Sequence, residues 1–218
     1  MPDISSFVQQ FAILAIPVLS AITFHEVAHG YVAYLLGDPT AKAAGRLTLN
    51  PIKHLDPIGA LALFIVKVGW AKPVPINPAY FRNPGKGLIL VSLAGPVTNF
   101  LLAAIMAVCF HLLSWFYVEF SAPGGLFLFR PLALIFLYGV LINIGLGVFN
   151  LLPIPPLDGS NILAGFLPPA MATAFLKNAK YGFIVLIFLF VTGTVQKIIL
   201  PLITLLGSLL VPDLRQLI

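Results

Sequence analysis

The sequence predicts an all-α membrane protein, a bundle of about four transmembrane helices with a re-entrant or short-strand segment between the first two. Three observations lead there. Hydrophobic residues make up 60% of the 218 and charged residues 9%, against about 45–50% and 25% in an ordinary soluble domain. The mean hydropathy is +1.04. Four apolar stretches each reach the roughly 20 residues that a helix needs to cross about 30 Å of hydrocarbon.

The first stretch runs approximately from Phe7 to Leu36. It has no basic region ahead of it and carries the most informative motif of the chain, so it is expected to be a retained span and not a signal peptide. The second runs from Gly87 to Val118 and the third from Pro131 to Leu152. A fourth extends from Tyr181 to Leu200 or beyond, and residues 201–211 either prolong it past a kink at Pro201 or lie along the membrane surface. Between the first two spans, Gly37 to Lys86 is rich in Pro and Gly and holds short apolar runs such as Ala60 to Val66. Such a run is too short to span, and Gly59, Gly69, Pro73, Pro75 and Pro78 break any longer helix, which leaves short strands or a re-entrant hairpin. Backbone of that kind enters a membrane only where protein or a wet cavity meets its hydrogen bonds. At this length residues 1–218 are expected to form a single integral-membrane core without a separate soluble domain.

Lys and Arg set the orientation. Seven follow the first span (Lys42, Arg46, Lys53, Lys67, Lys72, Arg82 and Lys86) and two follow the third (Lys177 and Lys180), whereas the other side has Arg130 and Arg215. The bias places both basic segments in the cytoplasm and both termini outside, as expected for a multi-pass protein of the cell's plasma membrane. The net charge of +5 neither forms a run nor interleaves with aromatic residues, so no nucleic-acid partner is expected. Cys109 is the single cysteine, which excludes an internal disulfide and any cysteine-cluster metal site.

The informative motif is His25-Glu26-Val27-Ala28-His29. Residues four apart on a helix lie on one face a turn apart, so both imidazoles can grip one metal ion. Zinc is the natural guest, and Glu26 can reach a metal-bound water without joining the coordination shell. A catalytic zinc takes three protein ligands. On the side of the membrane where HEVAH lies, the candidates are Asp38, His54, Asp56 and Asp158. Asp38 precedes Pro39 and reads as a helix terminus. His54 and Asp56 sit in a basic loop. Asp158 stands out, because the third span ends in Asn150-Leu151-Leu152-Pro153-Ile154-Pro155-Pro156-Leu157-Asp158-Gly159. Three prolines stop the helix, the Asp-Gly pair permits a tight turn, and stiff extended backbone can carry one carboxylate back to the metal.

On these two motifs the chain resembles the site-2 proteases, which are intramembrane zinc metalloproteases. It is similar to the compact subgroup that has only the membrane core, without an inserted PDZ domain or a CBS pair. Gly95-Pro96-Val97-Thr98-Asn99 also looks like a motif of that subgroup. The resemblance implies one zinc per chain, bound by His25, His29 and Asp158, with Glu26 activating the water. Asn150 matches the family's motif asparagine and is expected to contact the substrate backbone or the oxyanion, or else to satisfy helix-end backbone groups. Asn99 is expected to make an interhelical hydrogen bond beside Gly95. The implied function is a zinc-dependent endopeptidase that cleaves membrane-spanning segments of other proteins within the bilayer. The alternative is a metal-ion or proton transporter, whose path would use the same intramembrane histidines and carboxylates.

Overall fold

The computed structural model describes residues 4–59, 69–119 and 126–212. Among them the protein is helical and no strand forms, so the all-α expectation is borne out. Three helices, α1 (Ile4–Leu35), α3 (Pro84–Glu119) and α4 (Leu126–Asn150), are long and apolar enough to cross a membrane. The short α2 (Thr40–Ala43) follows α1. After α4 come α5 (Asp158–Phe166), α6 (Pro169–Lys177), α7 (Ala179–Val191) and α8 (Thr194–Leu210). The chain is therefore a multi-pass membrane protein.

At 1.5 Å per residue, the 32 residues of α1 give a rod of about 48 Å, longer than the hydrocarbon core is thick. It ends on Gly37, whose φ of +100° only glycine adopts at low cost. The Asp38 N–H then donates back to the Ala33 carbonyl at 3.0 Å, the six-residue closure that satisfies a helix C-terminus.

The expected fourth span is divided. Gly193, at φ +71°, separates α7 from α8, and α6 and α7 are bent by 58°. Residues 201–210 belong to α8, which carries Pro201 without ending there. Val195 and Ile199 of α8 join Ala103, Ala107, Leu137, Val140, Ile144 and Val148 in the main core, and Ile203, Leu206 and Leu210 pack against it. That spacing places one apolar stripe of α8 on α3 and α4. His111 donates from Nε2 to the Leu210 carbonyl at 2.8 Å, which ties the far part of α3 to the end of α8.

The segment between α1 and α3 forms no ladder among the described residues. Its one antiparallel bridge pairs Leu55 with Ala71, extended by the Lys72 N–H donating to the His54 carbonyl at 2.9 Å. Beyond that, Pro73, Pro75 and Pro78 offer no N–H, so a strand cannot propagate. Side chains take over the backbone groups. Arg46 donates to the carbonyls of Lys72 and Pro73 at 2.6 and 3.1 Å. The N–H groups of Val74 and Asn77 go to the carboxylates of Glu26 and Asp38 at 2.8 and 2.6 Å. The whole Ala60 to Val66 run, Ile65 and Val66 included, lies outside the described residues.

Candidate metal centre

His25 and His29 lie one turn apart on α1, both 7% exposed, and face the first residue of α5. There Asp158 Oδ2 is 3.2 Å from His25 Nε2 and 3.3 Å from His29 Nε2. The two Nε2 atoms are 3.0 Å apart. Four ligands at about 2.0–2.1 Å around a tetrahedral zinc stand about 3.3–3.4 Å from one another, so this triangle has the dimensions of three zinc ligands.

The hydrogen bonds behind the triangle fix its chemistry. His29 Nδ1 is 2.7 Å from the Val91 carbonyl, which accepts only, so Nδ1 carries the proton. His25 Nδ1 is 2.6 Å from Asn99 Oδ1. The Asn99 amide nitrogen donates to the Ala21 carbonyl at 3.2 Å and to Asn143 Oδ1 at 2.9 Å, leaving its oxygen for His25. In their neutral form both histidines thus turn unprotonated Nε2 atoms inward, towards the buried Asp158 Oδ2. Two lone pairs and a carboxylate oxygen packed at 3.0–3.3 Å repel one another unless a cation joins them. The donor set fits zinc. Among the described residues these three are the only group of His, Cys, Asp and Glu that can hold a metal.

Local folding explains why each ligand arrives. A Cβ on Gly95 would lie 2.5 Å from His25 Cε1 and from His29 Nε2, so only glycine lets α3 pass beneath the two rings. The Pro153-Ile154-Pro155-Pro156 stretch runs as successive turns, with N–H to carbonyl bonds from Ile154 to Leu152 and from Leu157 to Ile154. Asp158 then opens α5 without using its side chain as a cap. The expected tight turn at Asp158-Gly159 is absent. Gly159 is helical, and a Cβ there would stand 2.2 Å from the Leu151 carbonyl oxygen, so its role is to let α5 pack on the end of α4.

Glu26, Asn150 and Asn161 line one cavity of about 350 Å³ with the three donors, beside Pro73, Val74 and Ile76. Glu26 accepts the Val74 N–H at 2.8 Å. Asn150 donates one amide hydrogen to the Leu146 carbonyl of its own helix at 3.0 Å, so it serves the helix end and faces the cavity as well.

The other acidic and histidine candidates fall elsewhere. His54 is fully buried, with Nε2 donating to the Thr48 carbonyl at 2.8 Å, and Asp56 accepts the N–H groups of Ile58 and Gly59 at 2.9 and 2.8 Å. Neither lines the cavity. Asp38 does more than mark a helix end. It is fully buried and accepts from the Thr40 N–H and hydroxyl as well as from Asn77. Burial pushes its carboxyl up, but the Thr40 side chain and the two backbone donors outweigh that and hold it below the usual carboxylate range. Reading the sequence alone misses Asn143 and the Val91 carbonyl. The polarity of Asn143 within an apolar span is the only signal that could have found it.

Comparison with known proteins points to a zinc metalloprotease. The model of peptidase family M50 matches residues 118–192, a stretch that includes Asn150 and Asp158. YwhC of Bacillus subtilis, named as a candidate zinc metalloprotease, is 42% identical over 189 residues, 87% of this chain and 84% of that protein. The chain belongs to peptidase family M50. Rip2 of Mycolicibacterium smegmatis, also named as a candidate zinc metalloprotease, is 30% identical over 88% of this chain and 71% of its own length. The zinc metalloprotease MJ0392 of Methanocaldococcus jannaschii is 27% identical over 78% of this chain and 38% of its own. No solved structure matches. The expected family, that of the site-2 proteases, and the expected enzyme class, a zinc metallopeptidase, are borne out.

Proposed function

We propose that residues 1–218 form a single protease core that cleaves membrane-spanning segments of other proteins, using one zinc held by His25, His29 and Asp158. One observation carries this reading: a triangle of inward-facing Nε2, Nε2 and carboxylate oxygen atoms opens into a cavity that also holds Glu26. When bound there, zinc would lower the pKa of water towards about 7 and polarise the scissile carbonyl.

The chain's own groups do the rest. Glu26 takes a proton from the attacking water and returns it to the departing amide nitrogen as the C–N bond breaks. Asn150 has a second amide hydrogen for the substrate backbone or the oxyanion. A helical substrate hides its carbonyls in its own hydrogen bonds and must unwind locally. The Gly37 to Lys86 segment would hold it extended by pairing with an exposed backbone edge, a reading supported by Pro73, Val74 and Ile76 of that segment lining the cavity. The basic residues support a plasma-membrane protein whose site opens to the cytoplasm, the source of water, with both termini outside.

The test is cleavage of a membrane-spanning substrate by purified protein in lipid vesicles, with bound zinc measured in parallel. Substrates are first trapped on Glu26→Gln and identified by mass spectrometry. His25→Ala, His29→Ala and Asp158→Ala should each lose zinc as well as activity. Glu26→Gln should keep about one zinc per chain while cleavage falls by about 10² or more. Zinc lost in Glu26→Gln, or full zinc and activity in Asp158→Ala, overturns the assignment.

A further inference from the structure

We infer that Asn143 is a positioning residue for the metal centre: by locking the amide of Asn99 it keeps the proton of His25 on Nδ1 and the lone pair of Nε2 facing inward. The inference rests on the reading of His25, His29 and Asp158 as metal ligands and extends it into α4.

Asn143 and Asn99 are both fully buried, and their hydrogen bonds run in one direction. Asn143 Nδ2 donates to the Gly139 carbonyl one turn back on α4 at 2.9 Å. A main-chain carbonyl accepts only, so the Asn143 oxygen is forced towards α3. There it accepts from Asn99 Nδ2 at 2.9 Å, and Asn99 Nδ2 donates its other hydrogen to the Ala21 carbonyl on α1 at 3.2 Å. With both hydrogens engaged, Asn99 presents oxygen to His25 Nδ1 at 2.6 Å. The oxygen and nitrogen ends of an amide are nearly equal in size, so sterics alone do not choose which end meets His25. Without Asn143 the Asn99 amide keeps only the Ala21 carbonyl to define its orientation. Turned over, it would donate to Nδ1 and drive the imidazole proton onto Nε2, inside the triangle, where that nitrogen can no longer bind a metal.

A carboxylate at position 99 has two equivalent oxygens and accepts from His25 either way round. This supplies a test that separates orientation from packing. Purified apo-proteins in detergent are titrated with zinc against a chromophoric chelator, and their thermal unfolding without metal is recorded alongside. Asn143→Leu should bind zinc about 10–100-fold more weakly than wild type, the usual size of an outer-shell effect. Adding Asn99→Asp to Asn143→Leu should restore affinity to within about threefold of Asn99→Asp alone. Wild-type affinity in Asn143→Leu, or a double variant as weak as Asn143→Leu, overturns the inference. If Asn143→Leu does not fold, Asn143→Ala carries the same comparison. A wild-type chain that binds no zinc would refute the metal centre itself, which is a different result from a centre that binds zinc regardless of Asn143.

Discussion

At the scale of single residues the metal centre depends as much on what is missing as on what is present. His25 and His29 rest against Gly95, where a methyl group would come within 2.5 Å of ring atoms of both histidines. No flexible side-chain end is available there to yield. Gly95→Ala should therefore weaken zinc binding at least about tenfold and lower cleavage by about 10², because displacement of catalytic groups by about 1 Å has an effect of that order. Zinc titration and the vesicle cleavage assay check both numbers. Wild-type behaviour would mean that α3 can move off α1 without disturbing the ligands.

At the scale of elements, the segment between α1 and α3 is held by side chains where a sheet would use a ladder. Asp38 is its central tie, joining the end of α1 to Thr40 and Asn77. Asp38→Ala removes the charged acceptor shared by the Thr40 N–H and hydroxyl and the Asn77 N–H and should destabilise the protein by about 1–3 kcal/mol at neutral pH. The folded-state pKa of Asp38 lies below its ordinary 3.8, so its contribution is complete above that value and fades as pH falls through the folded-state pKa. Melting temperatures of wild type and Asp38→Ala in detergent should thus differ by a constant amount from pH 7 to about pH 5, then converge in stronger acid. A gap that grows on acidification contradicts this. The same segment shows where the sequence was legible. The one-turn spacing of HEVAH and the helix stop at the prolines after Asn150 could be read directly, since periodicity and proline placement are local signals, whereas the extended arm and Asp-Gly turn expected there gave way to successive turns and a helix start. The tie between Asp38 and Asn77, the Glu26 contact with Val74 and the division of the fourth span at Gly193 all depend on which distant groups meet, and no local pattern encodes that. Asn99 was legible as an interhelical polar residue, but its partner, His25 of the HEVAH motif, was not.

For the whole molecule, orientation is directly testable. In a Cys109→Ala background, a cysteine at Arg82 should react with an impermeant thiol reagent from the cytoplasmic side and one at Ser121 from outside. The reverse pattern would turn the cavity to the other face. A second consequence follows from the hydrogen bonds that run from His25 through Asn99 to Asn143. They link α1, α3 and α4 through His25, so on the proposed reading these three helices cannot part without disturbing the metal centre. On the proposed function, the doorway for a guest helix from the lipid must then lie elsewhere, and the edge to test is the one where Trp70 meets Phe183 of α7 edge to face, ring centroids 6.3 Å apart. Cysteines at Trp70 and Phe183, bridged by a short bifunctional thiol reagent in the Cys109→Ala background, should stop cleavage of a membrane-embedded substrate while bound zinc stays constant. Undiminished cleavage with the bridge in place would move the doorway to another side of the bundle. On that reading, the wall that holds the proposed metal centre also sets the direction from which a substrate can approach.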